Sequence, residues 1–168
     1  MATGSILLPN MAAQPPDSAG PALSVAKGTH TAPERFSLIA SFDAATDQHL
    51  WWTIQVPDNY ASGGTFRLVW EANATSGSAV WGASVGAVTA GDADTPIEHN
   101  QNTATTTTTA ANATEARRLV ETTIAPSMDS MAPDDLVTVL IYRDANNGSD
   151  SLAVVANLWS VILEYTTT

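Results

Sequence analysis

Metal chemistry would first be sought in IYRDANNGSDS, residues 141–151, where Asp144, Asn146, Gly148 and Asp150 alternate as in oxygen-rich calcium loops. The helix-loop-helix calcium site needs glycine at its sixth position and glutamate at its twelfth. Counted from Asp144, those places hold Ser149 and Val155, so the match fails. Asn147-Gly148 is instead a favoured type I′ turn pair, and the stretch reads as the turn of a hairpin. Two carboxylate pairs, Asp92 with Asp94 and Asp134 with Asp135, could serve acid–base work, but both lie in Gly/Pro-bounded loops and read as solvated turns. The histidines, His30, His49 and His99, share no helix face or short spacing, so no zinc site has local support. There is no cysteine, no G-x-S-x-G elbow and no phosphate loop. No catalytic residue, metal or other cofactor is expected.

Composition narrows the partners. Six basic residues face seventeen acidic ones, a net charge of -11. Nucleic-acid binding relies on Lys and Arg replacing phosphate counterions, so neither nucleic acid nor an anionic membrane is an expected partner. No apolar run approaches the ~20 residues of a spanning helix. The opening segment lacks the early basic residue and long apolar run of a signal peptide. Of five tryptophans, alternation puts Trp52 and Trp70 inward, in the core; Trp51, together with Trp81 or Trp159, is a candidate for an outward platform.

The elements that would position these residues are strands. RFSLIASF (35–42), HLWWTIQV (49–56), TFRLVWEA (65–72) and AVWGASVGAVT (79–89) alternate with period 2. The Thr-rich run before residue 114 suits an exposed edge strand or a long connection, and VETTI within 115–125 suits a strand rather than a capped helix. LVTVLIYR (136–143) and LAVVANLWSVILEY (152–165) are apolar on both faces, so their outer sides need a cover. About eight strands without a credible long helix predict an all-β, antiparallel, jelly-roll-like β-sandwich over residues 34–168. Residues 1–33 hold five prolines and no sustained period, and predict an extended arm.

The succession FDAATDQHLWWTIQVPDNYASGGTFRLVWEANATSGSAVWGASVGAV, followed by MAPDDLVTVLIYRDANNGSDSLAVVANLWSVILEY, resembles β-sandwich proteins of tailed bacteriophages. The resemblance covers about residues 41–165 and rests on a V-P-D-x-Y turn, a G-G-T-F-x-L-x-W strand and the closing I-Y-R-D segment. It implies a non-enzymatic virion component: a capsid decoration (cement) protein, or a tail or fibre domain that binds host carbohydrate. It also implies a homotrimer on the capsid exterior, with the major capsid protein as partner. On this reading the arm grips the capsid through Ile6, Leu7, Leu8, Leu23 and Val25, and its removal leaves a folded trimer. The outer faces of the last two strands supply the subunit interface, with Tyr142, Val155, Trp159 and Val161 as its candidates.

Overall fold

A computed structural model describes residues 2–28, 32–92 and 101–168. His30, His99 and Asp94 lie outside the described residues. The chain is an all-β sandwich of ten strands among those residues: β1 (Thr3–Leu8), β2 (Ala22–Lys27), β3 (Phe36–Phe42), β4 (Gln48–Gln55), β5 (Tyr60–Ala72), β6 (Ser78–Val88), β7 (Thr105–Ala110), β8 (Val120–Ile124), β9 (Leu136–Arg143) and β10 (Ala156–Thr167). Every pairing is antiparallel. A six-stranded sheet runs β2-β3-β10-β5-β8, with β1 also paired to β10. The four-stranded sheet facing it runs β4-β9-β6-β7. The eight strands expected in residues 34–168 are all present, with the Thr run as edge strand β7 and VETTI as β8.

Alternation explains the core. On β9, Val137, Val139 and Ile141 point inward and are fully buried, while Thr138, Leu140 and Tyr142 face outward and stay half-covered. Phe42, Trp70 and Trp81 meet at the centre; the Phe42 and Trp81 rings pack edge to face with centroids 4.9 Å apart. Such a pair contributes ~0.5–1.5 kcal/mol beyond its buried area. Trp81 is therefore a core residue, and not the outward platform it was a candidate to be.

The arm differs most from expectation. Residues 1–33 were expected to form an extended arm apart from the sandwich domain, yet β1 and β2 are hydrogen-bonded strands within it. Leu8 is 1% exposed in the core, so it cannot grip a partner. Between β1 and β2 a one-turn 3₁₀ helix, Asn10–Ala12, places the Asn10 amide against the carbonyls of Leu38 and Leu158. The Trp52 indole N–H donates to the Pro9 carbonyl at 3.0 Å. The prolines sit in the links rather than in the ladders, which is how a Pro-rich segment still yields strands.

The closing hairpin is also absent. β9 belongs to the four-stranded sheet and β10 to the six-stranded one, so residues 144–155 cross between sheets. Gly148 is not among the glycines with positive φ, so no type I′ turn forms at Asn147-Gly148. The crossing is fixed by a buried ion pair instead. Arg143 is 0% exposed, and all five of its N–H donors are used. Nε and Nη2 grip the Asp150 carboxylate at 3.0 and 2.8 Å. The remaining donors reach the carbonyls of Asp43, Leu152 and Val154.

Candidate ligand-binding cleft

Of the acidic candidates, Asp150 and Asp135 turn out to be structural. Asp150 is the counter-ion of Arg143 and also accepts the Val80 N–H at 3.0 Å. Asp135 is buried and accepts from the Thr89 hydroxyl and the Ala132 N–H. Its neighbour Asp134 points to solvent, so the two carboxylates do not converge. His49 stacks on Tyr142 with ring centroids 5.4 Å apart. Burial first, and then the charges of Asp144 and Asp47, push the Tyr142 hydroxyl above its ordinary range. Among the described residues no three His, Cys, Asp or Glu side chains gather to hold a metal.

The expected interface residues separate. Tyr142 lies on the outer face of the four-stranded sheet, and Gly82 opposite it leaves room for its ring, where a Cβ would clash. Trp159 lies on the outer face of the opposite sheet, Val155 is exposed in the crossing segment, and Val161 is 0% exposed in the core. These four cannot form one patch. The cause is a β-bulge: Leu158 pairs with Trp70 and Ser160 with Val69, so β10 spends two steps on one of β5. Trp159 is the extra residue, and parity reverses after it, sending Val161 inward. Of the arm residues, Ile6 and Leu8 point inward, Leu7 points outward, and Leu23 and Val25 are exposed on β2.

Around Trp159 the outer face of the six-stranded sheet carries a cleft of about 470 Å³. Lys27 from the end of β2, Arg35 before β3, Glu71 near the end of β5, and Glu115 and Arg117 from the β7–β8 link complete its charged lining. Two smaller depressions adjoin it across Trp159, one toward Leu119 and one toward Leu7, Asn10 and Met11. The Arg35 guanidinium lies 5.6 Å from the Trp159 ring centroid, a cation–π contact.

Glu71 is 1% exposed. Its Oε1 accepts the Asn157 amide at 2.8 Å, and Asn157 in turn accepts the Ser41 hydroxyl. Arg117 Nε stands 4.0 Å from the same carboxylate oxygen. Glu71 Oε2, Trp159 Nε1 and Asn10 Oδ1 are buried and have no hydrogen-bond partner among the described residues. An unpaired buried polar atom costs ~1–3 kcal/mol, so two in the lining of the cleft, with a third in the depression that adjoins it across Trp159, mark a place built for something polar. Sequence reasoning had placed Trp159 among outward candidates but missed Glu71, Arg35 and Arg117. Glu71 follows Arg67 and Val69 on the outward alternation of β5, which reads as a solvated face. Its burial comes from strands far away in sequence.

No family model and no curated protein matches the chain. Solved structures do. The chain superposes on the CBM35 from Cellvibrio japonicus Abf62 with a TM-score of 0.50 and 10% identity, over 98% of this chain and 99% of that one. It also superposes on arabinose-bound MgGH51 α-L-arabinofuranosidase with a TM-score of 0.50 and 13% identity, over 91% of this chain but only 23% of that one. At such identities the likeness carries the fold, a jelly-roll-like β-sandwich.

Proposed function

We propose that the chain is a non-catalytic carbohydrate-binding module with Trp159 as its stacking platform. The observation that carries this reading is the pairing of a half-buried indole with two unpaired polar atoms of opposite kind, the acceptor Glu71 Oε2 and the donor Trp159 Nε1. A sugar ring presents an apolar face that an indole can cover. Its hydroxyls both donate and accept, so one ligand can satisfy both atoms. The cleft is less suited to hydrolysis, which needs two free carboxyl groups across the scissile bond. Glu115, the other carboxylate in the lining, is exposed and ion-paired to Arg118 at 3.0 Å. That the CBM35 shares the fold supports a scaffold suited to such a site; the ligand is argued from the cleft itself. The reading agrees with the expected tail or fibre domain.

The test is retention in polysaccharide affinity gels and on a glycan array. Trp159→Ala, with its fold checked by circular dichroism, should lose at least about tenfold in affinity, as expected when a central aromatic anchor is truncated. Undiminished binding by that variant overturns the proposal.

A second reading, capsid decoration by a homotrimer, is favoured by β2, an edge strand that pairs only with β3 among the described residues. Leu23 and Val25 on that strand, and Phe36 beside it on β3, are exposed; Val25 and Phe36 each stand at 61%. An unpaired edge with apolar side chains is a template for strand addition by another chain. The major capsid protein or a second copy would then dock there, and the cleft would face outward from the particle.

A further inference from the structure

We infer that the Trp159 cleft selects an acidic sugar, one that carries a carboxylate besides its hydroxyls; this rests on the carbohydrate reading and specifies its ligand. The chain has a net charge of -11 and only six basic residues. Two are consumed elsewhere: Arg143 is buried on Asp150, and Arg67 lies between Glu121 at 2.8 Å and Glu164 at 3.2 Å. The other four gather here. Lys27, Arg35 and Arg117 line the cleft, and Arg118 holds Glu115 at its rim. Among the described residues these four cations thus lie on one face, where they offset locally the repulsion that so acidic a chain exerts on an anion.

Not all four have donors to spare. Lys27 is paired with Glu34 at 2.8 Å, and Arg118 with Glu115. The Arg35 guanidinium lies over the Trp159 ring and has no carboxylate partner among the described residues. Arg117 approaches Glu71 no closer than 4.0 Å. These two guanidinium groups keep the planar fork that matches a carboxylate. An inorganic anion would meet them but would bring no hydroxyl donor for Glu71 Oε2. A neutral sugar would satisfy Glu71 and leave both forks idle. A uronate-type ring supplies the apolar face, the hydroxyl donors and the carboxylate together.

The experiment uses the full chain on an array of matched pairs: galacturonate, glucuronate and mannuronate oligomers, each beside the same oligomer with its carboxylates methyl-esterified. In at least one pair the acid form should bind about tenfold tighter, the gain expected of two charge-assisted contacts. Raising sodium chloride should shrink that ratio as screening grows. Arg35→Gln combined with Arg117→Gln should bring the acid-to-ester ratio close to one, whatever happens to absolute affinity. Equal or tighter binding of the esters overturns the acid preference and leaves the carbohydrate reading standing. Binding to no member of any pair, nor to any neutral glycan on the array, overturns the carbohydrate reading and this inference with it.

Discussion

Replacing Asp150 by alanine tests how the crossing from one sheet to the other is held. The side chains of Arg143 and Asp150 are 0% and 1% exposed, so water cannot replace a lost partner. Alanine would remove both carboxylate bonds from the guanidinium and the acceptor for the Val80 N–H. Removing one member of a buried, hydrogen-bonded pair costs ~3–5 kcal/mol, because the other charge is left uncompensated. Against a typical total of ~5–15 kcal/mol, that is a large fraction of the stability. Taking about 4 kcal/mol and a urea slope of about 2 kcal/mol/M, the unfolding midpoint should fall by about 2 M. The thermal midpoint should drop by roughly 8–16 °C for a chain of this size. Urea unfolding followed by tryptophan fluorescence reads this directly. The double variant with Arg143→Met should lose less than the sum of the two single variants, since it removes the stranded charge as well. If Asp150→Ala lowers the midpoint by less than about 0.5 M with an unchanged slope, the pair contributes no more than a surface ion pair and the reasoning fails.

The N-terminal segment gives a second test. Leu8→Ala should destabilise by ~2–5 kcal/mol in the same assay, because its side chain sits in the closed core; a cost below ~1 kcal/mol would mean that β1 is dispensable. The β2 edge gives a third. Val25→Glu should leave stability within ~0.5 kcal/mol, as a surface change does, yet abolish any self-association seen by sedimentation velocity. A native chain that stays monomeric at about 100 µM removes the trimer, since oligomers that matter at an interface of standard size form well below that concentration.

The strands were legible because each has one or two faces whose burial follows from alternation alone. Phe66, Leu68 and Trp70 on β5 read inward from the sequence and are fully buried. What was not legible depends on partners far away in the chain. The bulge at Trp159 leaves no local mark, yet it reverses the facing of every later residue on β10, which is why Val161 lies in the core. Asn147-Gly148 carries strong hairpin chemistry, but turn propensity says nothing about which sheet the next strand will join. The Pro-rich opening segment defeated pattern reading for a different reason. β2 exposes most of its side chains, so it has no buried face to impose a period.

The two kinds of buried polar group in this molecule bear on each other. Arg143 shows that the fold can bury five donors and pair every one. Asn10 uses its amide to close the gap where β3 and β1 meet along β10. Against that completeness, the unpaired atoms are informative. One of them, Trp81 Nε1, lies in the closed core, and nothing in the structure explains it. The other three, on Asn10, Glu71 and Trp159, belong to residues that line depressions meeting at the Trp159 ring. Two are acceptors and one is a donor, which a hydroxylated ligand can serve and a hydrocarbon cannot. The unpaired atoms call for hydroxyl groups and the spare guanidinium forks call for a carboxylate. Because these arise from different residues on separate strands, turns and links, their meeting at one aromatic ring is the reason to look there for a sugar before looking anywhere else.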